Sequence, residues 1–326
     1  MAKISVYTNS QASKGTSLFS KTEFHNYFFR HELSYHTPKS LELLHDQLSA
    51  DIEAGVDYII SVGGDGTANT ISQRIIGTDI KLLVLPGGTA NDFAHELGTS
   101  CGLKKAFQIF NANVTKKVDA IKVNGRYMMT NGGIGLASEV ASTVNQMRKE
   151  SPLFKKMMKY LGKETYSLVY GQQMLAKPFS AQSLFIESKD LPLLDSRVIS
   201  PLVLVNNQEF IGGKFRVAPS TRNDDGKFNV TIFLHDNKLD FLKATLQMSQ
   251  GIYPKNDKKL VSFETNHVVI NSLEDVPLRF FGDGEMFDEA FILDVSIESG
   301  SLNVCSPSNT SMRYQSYPLN DIDLIV

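Results

Sequence analysis

Gly63-Gly64-Asp65-Gly66-Thr67 is the stretch from which the rest of the chain is read. It follows the apolar run Tyr58-Ile59-Ile60-Ser61-Val62, which has the length and β-branched content of a buried strand, and it precedes Ala68 to Ile76, which has a helical pattern. Strand, glycine loop and helix start therefore come in that order. Three glycines in four residues let the backbone take positive φ and let a bulky anion approach main-chain N–H groups that a Cβ would block. The helix behind them adds unpaired N–H groups and the positive end of its dipole. The pattern describes a phosphate cradle, and by itself it describes a tight structural turn equally well.

Outward from this loop, Lys81 to Pro86 is another strand that runs into a second glycine turn, Gly87-Gly88-Thr89-Ala90-Asn91-Asp92-Phe93-Ala94, where a helix again begins. Alternating strand, helix and strand imply parallel pairing with ligands at the carboxyl ends of the strands, which puts both turns on one edge. On the N-terminal side, Ile4 to Tyr7 alternates as a first strand and Thr8 to Ser17 is a polar loop. Leu18 to Phe29 is expected as a helix and Leu33 to Thr37 as a short strand. Leu41, Leu44, Leu48 and Ile52 recur at helical spacing. On the C-terminal side, Val114 to Val123 is strand-like around Asp119, and Asn124-Gly125 signals a hairpin to Arg126-Tyr127-Met128-Met129. Asn131-Gly132-Gly133-Ile134-Gly135 comes next, and the pattern is then helical to about Lys177. Beyond Phe179, segments at Ser183–Ile186, Pro201–Val205, Phe228–Phe233, His267–Ile270, Leu278–Phe281 and Phe291–Ile297 indicate a mostly antiparallel β domain, interrupted by one helix near Leu239 to Met248.

A chain of 326 residues favours two domains. With 42% hydrophobic and 21% charged residues it can bury a sizeable core, and a net charge of −2 implies no strongly basic nucleic-acid surface. Cys101 and Cys305, the only cysteines, exclude a disulfide framework and a cysteine-based zinc site and suit a reducing compartment. The seven histidines show no metal-ligand spacing. Met1 to Tyr7 lacks the apolar core of a secretory signal, and no window approaches the ~20 apolar residues of a bilayer span. The expected location is cytoplasmic, with any membrane contact peripheral.

Gly63 to Thr67, Pro86 to Ala94, Asn131 to Gly135, Asp224-Asp225-Gly226-Lys227-Phe228 and Asp283-Gly284-Glu285 are five motifs that, in this order, resemble the diacylglycerol kinase catalytic-domain family, which includes bacterial lipid kinases and sphingosine kinases. The first is shared with NAD kinases and, loosely, with phosphofructokinases; the second and the order of all five separate the family from them. The resemblance implies an α/β fold: an NAD kinase- or phosphofructokinase-like nucleotide-binding domain over residues 1–130, then a mostly antiparallel β-sandwich with connecting helices over 131–310. Residues 311–326 form a C-terminal segment that could return to the first domain. The implied activity is ATP-dependent transfer of the γ-phosphate to a lipid hydroxyl, with Mg2+, in the cleft between the domains.

Residue by residue, the resemblance assigns Gly63, Gly64, Gly66, Thr67 and Asn69 to the nucleotide loop and Thr89 to a further nucleotide contact. Asp65, Asp92 and Asp119 match acids that hold magnesium largely through waters, a fit to an ion that keeps waters and prefers hard oxygens. Asp119 is otherwise a strand-end turn residue. The pattern makes Glu285 the base, supported by Asp283; two residues apart in a strand, both carboxylates would share a face. A Gly-containing hairpin with solvated acids is the alternative. Asp225 matches a second, structural metal site completed by the carbonyls of Arg222 and Lys227, and the same residues suit an Asp-Gly hairpin turn. The family's usual Asn-Pro-x-Ser-Gly is replaced here by Asn9-Ser10-Gln11-Ala12-Ser13-Lys14-Gly15, so Asn9 and Gly15 serve the nucleotide on an altered loop. Thr37 matches a position near the nucleotide and is also a candidate helix N-cap.

Arg148, Lys155, Lys159 and Lys163 fall on one helical stripe beside Phe154, Met157, Met158 and Leu161, the pattern of a membrane-surface helix and equally of an ordinary surface helix with an apolar inner face. The leading expectation is a lipid kinase that meets its lipid substrate at the membrane surface and has no nucleic-acid partner. A homodimer is left open. The alternatives are an NAD kinase-type phosphotransferase and a catalytically inert lipid- or nucleotide-binding protein on the same fold.

Overall fold

The structure, a computed structural model, describes residues 1–9, 19–88, 91–161, 164–176, 178–193 and 195–307. Its first half alternates as the periodicity predicts: β1 (Lys3–Thr8), α1 (Lys21–Phe28), β2 (Glu32–His36), α2 (Leu41–Glu53), β3 (Tyr58–Gly63), α3 (Asp65–Ile75), β4 (Lys81–Pro86), α4 (Asp92–Glu96) and α5 (Leu103–Ala112). The strands lie side by side as β2-β1-β3-β4, all parallel. Strands buried on both faces need near-continuous apolar sequence. On one face Ile59, Leu82 and Val84 meet Leu44, Leu48, Ile71 and Ile75; on the other Ile60, Val62, Leu83 and Leu85 meet Phe24, Phe28, Ile109 and Phe110.

Local capping trims two expectations. Ser20 and Glu23 form a capping box, so α1 starts at Lys21 rather than Leu18. Ser40 caps α2 by accepting from Leu43 N at 3.1 Å, so Thr37, which is exposed, is not the N-cap.

The chain continues as β5 (Thr115–Val123), β6 (Arg126–Met128), β7 (Asn131–Gly135), α6 (Leu136–Glu150), α7 (Pro152–Leu161), α8 (Glu164–Ala176), β8 (Gln182–Glu187), β9 (Arg197–Ser200), β10 (Leu202–Asn206), β11 (Phe210–Ile211), β12 (Phe215–Arg216), β13 (Phe228–Phe233), α9 (Lys238–Ser249), β14 (Leu260–Thr265), β15 (His267–Ser272), β16 (Phe281–Gly282), β17 (Glu285–Met286) and β18 (Ile292–Cys305). Asn124 and Gly125 both have positive φ, as the β5–β6 hairpin turn requires. Asn131 to Gly135, whose conformation the sequence left open, is an inner strand. A Cβ on Gly132 would lie 2.3 Å from Phe281 O, and one on Gly133 would lie 2.3 Å from Val203 O, so only glycine lets β10 and β16 close on it.

A second sheet, ordered β14-β13-β10-β7-β16-β17, stacks on the antiparallel strands of the first. Val203, Val205, Val230 and Ile232 face Leu184, Ile186, Val268, Ile270, Leu293 and Val295 across this sandwich. The outer face of the second sheet carries Leu202, Leu204 and Phe233 against Met174, Phe241 and Met248 of the helices.

The two halves are joined by β18. Its start pairs antiparallel with β15; after a register shift between Glu298 and Leu302, Asn303 and Val304 pair parallel with Lys81 and Leu82 of β4. One ten-stranded sheet thus runs through both domains, and the return to the first domain is made by this strand. The segment 311–326 lies outside the described residues.

Asp119 is the pin at this crossing. It is 1% exposed, its Oδ2 accepts from Gly226 N at 2.7 Å, and its Oδ1 accepts from Gly300 N at 2.6 Å. Asp119→Asn sets an NH2 group against one of these donors, so a loss of about 1–3 kcal/mol is expected in denaturant unfolding. Unchanged stability would show that the pin is not needed.

Candidate functional site

Both glycine turns emerge at the carboxyl ends of neighbouring strands, β3 and β4, and they pack backbone to backbone. Gly87 N donates to Gly63 O at 2.8 Å, and a Cβ on Gly88 would stand 2.4 Å from Gly64 Cα. Gly64 is the N-cap of α3 and has no side chain to cap it, and Gly64 to Thr67 at this helix start line the cleft. Asn91, held at φ 55°, closes the second turn: its Oδ1 accepts from Gly88 N at 2.8 Å and its Nδ2 donates to Gly88 O at 3.0 Å. Thr89 lies outside the described residues, as do 10–18 with Gly15. Asn9 Nδ2 donates to Thr67 Oγ1 at 2.9 Å, tying the end of β1 to the first turn.

The carboxylates expected to work together have separate surroundings. Asp65 Oδ1 accepts from Phe93 N at 3.0 Å, so it joins the start of α3 to α4. Burial pushes its carboxyl above the ordinary range, the Phe93 N–H opposes this, and the nearby Asp283 charge adds to it. Asp92 Oδ2 accepts from Gly212 N at 2.7 Å, reaching across to the turn between β11 and β12. Both acids line the cleft, whereas Asp119 does not. Its two oxygens serve Gly226 and Gly300 because β18 passes directly beside it.

Asp283 and Glu285 do not share a strand face. Asp283 and Gly284, at φ 53° and 80°, are the turn of the β16–β17 hairpin, and Glu285 opens the return strand opposite Gly282. Nor are both acids solvated, as the hairpin alternative supposed. Asp283 is 6% exposed and accepts from Met129 N and Thr130 N, each at 2.8 Å, from Thr130 Oγ1 at 2.6 Å and from Asn69 Nδ2. Burial raises its pKa against the pull of these four donors. Glu285 is exposed, and its Oε1 lies 3.4 Å from where a Cβ on Gly66 would sit. The carboxylate from residue 285 therefore rests against the glycine loop. Asn69, assigned to the nucleotide, is a buried residue of the cleft lining, and its Nδ2 donates to Tyr127 O at 3.1 Å as well as to Asp283.

The turns, Asp65, Asp92 and Glu285 line one cavity of about 1160 Å³ between the domains. Its far end is apolar, walled by Leu202, Leu204, Val217, Phe233, Met248 and Val140. These wall residues were not singled out from sequence, because an apolar residue facing a cavity has the same pattern as one facing a core. The β11–β12 hairpin that caps Asp92 did carry a signal, the pair Gly212-Gly213 between short apolar runs.

Arg222, Asp225 and Lys227 form an exposed turn before β13, apart from the cleft lining. Asp225 Oδ1 accepts from Lys227 N at 3.1 Å, the Asx turn that the hairpin alternative requires. Neighbouring Asp224 is paired with Arg222 at 2.9 Å and Lys116 at 3.2 Å. Among the described residues no three His, Cys, Asp or Glu side chains converge to cage an ion, and no helix is long and apolar enough to cross a membrane.

Residues 3–123 match the family described as the diacylglycerol kinase catalytic domain. Residues 135–306 match the YegS C-terminal NAD kinase beta sandwich-like domain. A diacylglycerol kinase of Bacillus subtilis (strain 168) is 30% identical over 242 residues, 72% of this chain and 74% of that protein. One of Staphylococcus epidermidis is 28% identical over 234 residues, 71% of this chain and 69% of that protein. A crystal structure of a diacylglycerol kinase from Bacillus anthracis strain Sterne superposes with a TM-score of 0.66 at 17% identity, covering 94% of this chain and 97% of that one; the likeness is one of fold.

Proposed function

Since this chain belongs to the diacylglycerol kinase family, we propose that it transfers the γ-phosphate of ATP to a lipid hydroxyl, with Glu285 as the base. The observation that carries this reading is the single cavity that has bare amides and a carboxylate at one end and an apolar wall at the other. Phosphates suit the first end, acyl chains suit the second, and the acceptor hydroxyl comes between them. An NAD kinase needs the glycine loop but has no use for the apolar end.

The glycines at 64 and 88 let the two turns close on each other, and Gly66 leaves room for the Glu285 carboxylate, which fits a cradle built from backbone for a triphosphate. Asp65 and Asp92 offer the hard oxygens magnesium takes, and bound Mg2+ would neutralise phosphate charge. The first amides of α3 bind and orient the phosphates. Glu285 takes the proton of the lipid hydroxyl as that oxygen attacks the γ-phosphorus, and ADP leaves. Asp283, fixed by its four donors at the cleft wall, holds the hairpin that presents Glu285.

Transfer from labelled ATP to diacylglycerol, sphingosine, phosphatidylglycerol and NAD tests the proposal. Label on a lipid is expected, and label on NAD or on none of them would refute it. Leu204→Trp, which narrows the apolar end, should cut turnover of long-chain acceptors more than that of short-chain ones at unchanged ATP affinity. An equal effect on both would argue against the acyl assignment.

Contact with anionic membrane is proposed for the end of α6 and the start of α7. Arg148, Lys149 and Pro152 line the cavity, and Leu153, 77% exposed, and Lys156 stand beside them. The side chains of Lys155 and Lys159, and residue Lys163, lie outside the described residues. With about 1 kcal/mol per surface lysine, Lys149→Glu with Lys156→Glu should weaken binding to anionic vesicles by roughly 30-fold or more. Unchanged sedimentation with liposomes would remove this surface.

A further inference from the structure

Gln73 lies one helical turn after Asn69 on α3, so the two side chains leave the helix on one face. Its amide grips both backbone groups of a single residue of β6. Gln73 Nε2 donates to Tyr127 O at 2.6 Å, and Tyr127 N donates to Gln73 Oε1 at 3.0 Å. Gln73 Nε2 also donates to Asn69 Oδ1 at 3.1 Å, which turns Asn69 Nδ2 toward Tyr127 O and the Asp283 carboxylate. Two and three residues further along the chain, Met129 and Thr130 give their amides to that same carboxylate. On the other side of Tyr127, Arg126 Nη1 donates to Met286 O at 3.1 Å, and its guanidinium stacks 4.2 Å from the Phe287 ring centroid.

A glutamine amide presents one donor and one acceptor side by side, which matches the C=O and N–H of one strand residue as a neighbouring strand would. The helix that opens with the glycine loop therefore holds β6 by this clamp. From β6, the hairpin carrying Glu285 is held at Asp283 and again at Met286. We propose that Gln73 is a positioning residue: the clamp, acting through Asn69 and Asp283, makes the phosphate cradle and the Glu285 carboxylate one rigid unit although they come from different domains. Its effect on turnover rests on the kinase reading above; the clamp itself does not.

The test uses the full chain with Gln73→Met, which keeps length but none of the three hydrogen bonds, and Gln73→Glu, which keeps the shape but sets a second acceptor against Tyr127 O and Asn69 Oδ1. Hydrogen–deuterium exchange is expected to rise at 126–131 and 281–287 and to stay unchanged at 182–187 on β8, where a general loss of stability would also show. Turnover should fall about 10- to 100-fold, the scale on which small misplacements of catalytic groups act, with KM for ATP within about twofold of the parent because the clamp does not touch the cradle amides. Unchanged exchange at 281–287, or parental kcat, overturns the proposal. If Gln73→Met does not fold, Gln73→Glu decides it by the same readouts. A parent that phosphorylates no acceptor refutes the kinase reading instead, and exchange alone then decides the clamp.

Discussion

Replacing Glu285 by Gln is expected to lower kcat by about 10²- to 10⁴-fold, the usual worth of a positioned general base. Affinity for ATP and thermal stability should stay at parental values. The side chain is exposed on a two-residue strand, and surface substitutions of this kind move stability by about 0.5 kcal/mol at most. Gln keeps the size of Glu beside Gly66 but cannot accept a proton. The contrast with Asp283→Asn sharpens the test. That change puts an NH2 group among four donors in a buried site, so it should cost about 1–3 kcal/mol of stability as well as activity. Steady-state kinetics and thermal melts on both variants separate a base from its support. Near-parental kcat in Glu285→Gln would end the assignment of the base.

Gly88→Ala should disable the protein at an earlier step. The added methyl would stand 2.4 Å from Gly64 Cα and 3.1 Å from Asn91 Oδ1, and the first of these is backbone that no rotamer change can move. The two turns must separate, which disturbs the Gly87–Gly63 hydrogen bond and the start of α3. A loss of about 1–3 kcal/mol is expected from the forced overlap, together with at least about a tenfold loss of ATP affinity, equal to only 1.4 kcal/mol. Gly102→Ala is the control. Nothing lies within 4 Å of its Cβ position and its φ is −74°, so a cost of about 1 kcal/mol or less is expected, with ATP binding intact. If both substitutions behave alike in calorimetry with ATP, the packed glycine pair is not what shapes the cradle.

Membership of one family and the order of five motifs were legible along the chain, and so were the parallel β1 to β4 layer and the Asn124-Gly125 hairpin. These depend on short-range rules: period-2 and period-3.6 patterns decide which face is buried, and glycine or asparagine supplies positive φ where a turn needs it. The surroundings of the individual acids were not legible in this way. Asp119, Asp225 and Asp283 all looked like acids of a site, but only the folded chain separates a carboxylate that pins two backbone amides, one closing an exposed Asx turn and one held by four donors in the turn of a hairpin.

By itself the sequence determined the α/β layer, the paired glycine turns at its carboxyl edge and the antiparallel character of the C-terminal domain, because each is encoded within a few residues. The tertiary structure alone decided that β18 crosses from one domain into the other, that Asn69 and Asp283 meet at the cleft wall, and that the apolar residues share one cavity with the cradle. The physical reason is separation along the chain. Asn69 and Asp283 are 214 residues apart, and the charge, burial and donors a carboxylate meets at that range are set by which strands the whole core brings together.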